Sequence, residues 1–163
     1  MLSDFPEELL NQATILATGH RNQANIRRAV SAAYYGLFHL LIRDTISHWS
    51  NRSHYPRLAR TFEDQRMKTA SANMLKLLAT DTRDGDPGQL PMREKLGLVA
   101  RAFVELQQAR HRAEYDTEEP LDRSDALLLV EQAIAAFEAW KEIKDADLAQ
   151  DYLYSLLFRD RSF

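Results

Sequence analysis

Apolar residues recur along most of this chain at intervals of three and four, the period of an α-helix. Strict alternation, the mark of a half-buried strand, persists nowhere. The pattern predicts five helices and a tail. The first starts near Pro6, which is tolerated in a first turn because its missing N–H would be unpaired there, and runs to about Thr18. "TGHRNQ" breaks it. The second runs from about Gln23 to Trp49, and "NRSHYP" follows as a loop. The third runs from about Arg57 to Ala79, with a bend near "EDQ". "TDTRDGDPGQLP", where Gly, Asp and Pro cluster, is the strongest breaker. The fourth covers about Arg93 to Arg112 or slightly beyond. After "YDTEEPLDRS", Asp122 or Ser124 caps a fifth helix that ends near Lys144. "LAQDYLYSLLFR" forms or continues a tail helix, with Leu148, Tyr152, Leu153, Leu156 and Leu157 as its apolar stripe. Short loops between long helices make neighbours antiparallel, so the expected fold is an all-α up-and-down bundle of about five helices.

The second helix is unusual on both sides. Ile26, Val30, Ala33, Leu37, Leu40 and Leu41 share a broad apolar face. The opposite side carries Arg28, Ser31, Ala32, Tyr35, His39 and Arg43, flanked by Phe38 and Ile42. A solvated face would carry lysine and glutamate. Small, aromatic and hydrogen-bonding residues imply a second packed surface whose polar groups need partners. This helix is therefore expected at the centre of the bundle, with the second face satisfied internally, lining a polar pocket or meeting another subunit.

In the fourth helix Leu96, Val99, Phe103 and Leu106 form one stripe, and the next position in it is Arg110. A guanidinium held among core side chains must be paired or reach water. Glu114 lies one turn further on, and Tyr115 and Asp116 are adjacent. Two roles suit such an arginine. It closes the helix end as an ion pair with Glu114, or it is held in a dry cleft for a phosphate.

Composition narrows the field of functions. The formal net charge of −3 over 163 residues gives no global basic field for nucleic acid. A local cluster, His20, Arg21, Arg27 and Arg28, remains near the start of helix two. No cysteine is present, so disulfide and thiolate chemistry are excluded and a reducing, cytoplasmic setting is expected. No secretory signal core opens the sequence, and no apolar run reaches the roughly 18 residues of a membrane span. The five histidines lack zinc-ligand spacing, no Glu-x-x-His pair suits a di-iron bundle, and there is no glycine-rich phosphate loop. Neither a metal nor a cofactor is expected.

Two stretches together resemble the HEPN family, the higher eukaryotes and prokaryotes nucleotide-binding domain. In "RRAVSAAYYGLFHLLI", Ser31, Ala33, Tyr34, Tyr35, Phe38 and His39 match the Ser-x-Ala-Tyr-Tyr-x-x-Phe-His second helix of prokaryotic members. In "RHRAEYD", Arg110, Ala113, Glu114, Tyr115 and Asp116 match an Arg-x-x-Ala-Asp-Tyr signature, with glutamate replacing aspartate. "LARTFEDQRMK" is similar to the family's third helix, with Asp64 where a histidine is frequent. The resemblance spans about residues 5–143, leaving 145–163 as a C-terminal tail on a single domain of residues 1–163.

The resemblance implies a compact, commonly dimeric bundle. Many members are metal-independent ribonucleases of toxin or defence systems, whose arginine is followed four to six residues later by a histidine. Here those positions hold Glu114, Tyr115 and Asp116, and no histidine follows His111. The expectation is therefore an RNA- or nucleotide-binding protein of a toxin–antitoxin or defence system without efficient ribonuclease activity. Its expected binding set is Arg28, Ser31, Tyr35, His39, Arg110, Glu114 and Tyr115, and its expected partners are a second copy of the chain and a nucleotidyltransferase antitoxin. The rival expectation is a non-catalytic protein-interaction and dimerisation module. A third keeps ribonuclease activity, with Arg110 and His39 converging as the catalytic pair.

Overall fold

A computed structural model describes residues 2–80 and 88–158. Among them there are seven α-helices and no strand. The helices are α1 (Phe5–Thr18), α2 (Gln23–Ile46), α3 (Tyr55–Ala59), α4 (Asp64–Thr80), α5 (Leu90–Tyr115), α6 (Arg123–Ile143) and α7 (Asp147–Leu157), with a 3-10 turn at Arg52–His54 before α3. The all-α expectation holds. The count of about five does not, because the expected third helix is two helices and the tail forms its own.

Local chemistry explains the ends. Asn22 caps α2 by accepting from the backbone N–H of Asn25 at 2.8 Å, and Asp122 caps α6 by accepting from Ser124 at 3.2 Å. Of the two residues considered for that cap, Asp122 has the role. Pro56 lies in the first turn of α3, and Thr61 closes this helix by donating from its hydroxyl and its N–H to the Leu58 carbonyl. The break at residues 61–63 buries Phe62 and lets α4 begin at Asp64. The expected loop at residues 80–91 falls mostly on 81–87, outside the described residues, and α5 starts at Leu90 within its far end.

Contacts between elements fix their directions. Glu7 of α1 meets Arg43 of α2, and Ala17 meets Arg123 at the start of α6. Glu105 of α5 meets Gln132 of α6, while Lys95 meets Glu142. Ser31 of α2 meets Glu114 of α5, and Tyr35 meets Arg110. For α2/α5 and α5/α6 one number rises as the other falls, and the same holds for α1/α2, where Gly36 also lies against Leu10, so these pairs run antiparallel and α1 is therefore antiparallel to α6 as well. The same holds for α4/α5, where Asp64 meets Gln107 and Leu78 lies against Gly97, and for α4/α7, where Ser71 meets Tyr152 and Arg66 meets Leu157.

Helix α2 is central: it packs on α1, α5 and α6 and also touches α3 and α7. Leu37 and Leu41 are fully buried. At Gly36 a Cβ would sit 3.4 Å from the Pro6 carbonyl and 3.5 Å from the Leu10 amide, so the α1 backbone lies directly against α2 there. A polar chain joins three helices through the core. The Trp140 indole of α6 donates to Asp44 at 2.7 Å, and Asp44 also pairs with Arg43, which reaches Glu7 of α1. Tail helix α7 buries Tyr152, Leu153 and Leu156 and packs on α4. The Tyr152 hydroxyl lies 2.7 Å from Ser71, and full burial pushes its pKa up against the lowering effect of that hydrogen bond.

Candidate functional site

Arg110 emerges from a fully buried face of α5, following Leu96, Val99, Phe103 and Leu106, and is itself only 8% exposed. Its guanidinium is held on several sides. Nη2 donates to Asp64 Oδ2 at 2.9 Å, and Nη1 donates to Glu114 Oε2 at 3.0 Å and to the Tyr35 hydroxyl at 3.3 Å. The rings of Tyr34 and Tyr35 lie 5.0 and 5.6 Å from its central carbon, within cation–π range. The carboxylates are held in turn. Asp64 accepts from Gln107 Nε2 at 3.0 Å and from the buried Tyr34 hydroxyl, and Glu114 accepts from Ser31 at 3.1 Å. Among the described residues, Arg110 Nε and Gln107 Oε1 are buried without a partner.

Burial is the largest influence on the Arg110 pKa and opposes its charge. Coulombic attraction from Tyr35, Asp64 and Glu114, with the hydrogen bond to Glu114, outweighs burial and moves the pKa up. The guanidinium is therefore a permanent cation between two carboxylates. Three formal charges sum to −1, so an incoming phosphate meets a net negative cluster and must displace a carboxylate. Chemically the arrangement fastens α2, α4 and α5 together. Both Nη atoms of Arg110 are engaged and its unpaired Nε is buried, so no exposed edge is offered to a transferring group.

Of the residues singled out by sequence, Ser31, Tyr35, Arg110 and Glu114 come together. His39 does not join them: among the described residues no hydrogen bond links it to Arg110. The antiparallel register explains this. Ser31 lies level with Glu114 and Tyr35 with Arg110, so His39, one turn on, is carried about 6 Å along the axis at 1.5 Å per residue. Its ring packs on Phe5 and Phe38, with centroids 5.0 and 5.2 Å away, and among the described residues touches the cluster only through the Tyr35 ring at 6.4 Å; burial lowers its pKa, which favours neutral imidazole. Arg28 is exposed and takes no part in the hydrogen bonds around Arg110. Tyr115 is 72% exposed and lies edge-on to His111. Arg27, expected in a basic cluster, caps the C-terminal end of α5, donating to the carbonyls of Ala113, Asp116 and Glu119 at 2.7–3.0 Å.

Three members of the cluster were not in the expected set. Gln107 carried a visible signal, since it is a second polar residue on the inward side of α5, three residues before Arg110. Tyr34 reads as core from its period, and only the structure shows its hydroxyl on Asp64. Asp64 opens a helix, where a carboxylate usually needs no further explanation.

Among the described residues no group of three or more histidine and carboxylate side chains is placed to hold a metal ion, and no helix is long and apolar enough to cross a membrane. The fold and site define an all-α protein built around a salt-bridged, buried arginine. No protein-family model matches the chain, and comparison with curated proteins and with solved structures gives no match.

Proposed function

We propose that this chain is a HEPN-like, non-catalytic interaction module of a toxin–antitoxin or defence system, acting as a homodimer that holds a protein partner. A nucleotidyltransferase antitoxin is the partner the resemblance favours. The carrying observation is that the Arg110 cation is already neutralised by Asp64 and Glu114. Two further features support the reading. The two motifs that carry the resemblance meet in space, Ser31 and Tyr35 from one and Arg110 and Glu114 from the other. Beside them Tyr35 and Phe38 are partly buried against the core, with the remainder of each ring forming an aromatic face suited to a two-fold contact. Light scattering on the purified chain at micromolar concentrations tests this. A mass of about twice 18.8 kDa is expected, and Phe38→Glu reduces it to the monomer. A wild-type monomer throughout removes the dimer from the proposal.

The second reading, RNA or nucleotide binding, draws on Glu114. Its side chain is 31% exposed and, among the described residues, is held by Ser31 and Arg110 alone, against three partners for Asp64, so it is the more easily exchanged of the two carboxylates. Phosphate binding then requires Glu114 to swing out, and Glu114→Gln strengthens it. The measurement is anisotropy of labelled oligouridine in EDTA, with a cleavage gel alongside. No cleavage is expected, because no histidine is hydrogen-bonded near Arg110 to move a proton. Cleavage that is lost in both Arg110→Ala and His39→Ala refutes the non-catalytic reading.

A further inference from the structure

Away from the Arg110 cluster, the connection from α2 to α4 carries an unbalanced charge. Its 17 residues, 47–63, include Arg52, Arg57 and Arg60 against one carboxylate, Glu63, which pairs with Arg66, in a chain whose net charge is −3. All three arginines are exposed. The same connection presents Trp49, 51% exposed, with its indole N–H donating to His54 at 2.9 Å. The Tyr55 hydroxyl donates to the Trp49 carbonyl at 3.0 Å, which ties the connection to itself.

This surface borders an open cleft of about 390 Å³ between the start of α1, the end of α2 and α3. Phe5, His39, Ile42, Ile46, Tyr55 and Ala59 line it, and Arg43 and Arg52 reach its wall. Its volume lies within the range of small ligand sites, and its lining is mainly apolar. Leu2 and Phe5 stand at its mouth, 41% and 45% exposed. The two walls differ in sign. Asp4, Glu7 and Glu8 lie on the α1 side, where Glu7 is paired with Arg43, and the arginines lie on the α3 side.

We propose that this cleft is a docking groove for an acidic peptide segment of a protein partner, with an apolar side chain seated between Phe5 and Tyr55 and carboxylates facing Arg57 and Arg60. The partner's chemistry follows from the groove. An exposed tryptophan, exposed arginines and a partly buried tyrosine around an apolar floor are the composition of protein-binding hot spots. The α3 wall selects acidic residues by charge complementarity, and the opposite sign on α1 sets the direction of the segment. A nucleic-acid strand fits less well. The α1 carboxylates repel its phosphates, the Trp49 N–H is taken, and a mainly apolar floor leaves base edges unpaired. The proposal rests on the interaction-module reading but uses a surface distinct from the Arg110 cluster.

The test is fluorescence anisotropy with the full chain and a fluorescein-labelled peptide of glutamates and aspartates carrying two phenylalanines. Saturable binding is expected. It weakens about ten-fold when the phenylalanines become serines, when the acids become lysines, or when the protein carries Arg57→Glu with Arg60→Glu. Ala59→Trp, which fills the groove, has the same effect. If far-UV circular dichroism finds that variant unfolded, the double arginine variant on the exposed surface decides. The proposal is overturned if no peptide binds, if the serine peptide binds equally well, or if labelled oligouridine binds more tightly than the acidic peptide. Light scattering on the same samples separates the two ideas. A monomer that binds the peptide rejects only the dimer, and a dimer that does not bind rejects only the groove.

Discussion

Arg110→Ala lowers the stability of the fold by about 3 kcal/mol, the low end of the range for breaking a buried ion pair. The arginine is nearly inaccessible, but Asp64 and Glu114 keep 35% and 31% of their side-chain surface, so water recovers part of what each loses. What remains is the exposed cost of two carboxylates facing each other across an emptied site, together with the lost stacking on Tyr34 and Tyr35. In urea the midpoint moves down while the slope is unchanged, and the melting temperature falls by roughly 6–12 °C for a domain of this size. Arg110→Lys retains a charge but not the planar fork that spans Asp64 and Glu114, so its loss is intermediate. A change in Arg110→Ala of less than about 1 kcal/mol, the scale of an exposed pair, contradicts the description of the cluster as a fastening.

Trp140→Ala is more damaging, at about 5 kcal/mol, the upper end of the range for removing a large aromatic side chain from a core. The indole is 1% exposed, lies 6.3 Å from the Tyr152 ring between centroids, and supplies a hydrogen bond to Asp44, which is itself 6% exposed. The deletion therefore leaves both a void and a carboxylate with Arg43 as its remaining partner. Trp140→Phe isolates the second part. Most of the ring survives, the N–H does not, and the cost is about 2 kcal/mol. Adding Asp44→Asn to Trp140→Phe removes the stranded charge and recovers a portion of it. Equal urea midpoints for the wild type and Trp140→Phe would falsify the claim that this hydrogen bond pins α6 to α2.

Much of the architecture was legible in the hydrophobic pattern. Helices α1, α2, α5 and α6 are long enough for their period to dominate, and Asp122 and the Pro6 turn marked their starts. The division at residues 61–63 was legible only as a bend near Glu63–Gln65, not as a break between two helices. No glycine or proline stands there, and what ends α3 is the Thr61 hydrogen bonding to Leu58 and the burial of Phe62, which depends on the rest of the core. The candidate site shows the same divide. Arg110 and Glu114 are neighbours within one helix, so spacing alone pairs them. Asp64 and Tyr34 come from two other helices, and their approach depends on how α4 and α2 are set against α5. His39 failed for the opposite reason. It shares a side of α2 with Tyr35, but a helical wheel has no axial coordinate and cannot tell which turn of α5 lies opposite.

Arg27 has a bearing on how the molecule comes apart. Its guanidinium holds carbonyls that lie 86 and 92 residues further along the chain. None of these bonds exists until α2 and α5 have already docked side by side, since closing so long a loop gives no return before then. The clamp therefore belongs to the last stages of folding and the first of unfolding. Interactions of that kind leave the folding rate almost untouched and slow the opposite process. Arg27 thus acts as a latch on the lifetime of the native state, guarding the turn after α5 against fraying and against the proteolysis that fraying invites.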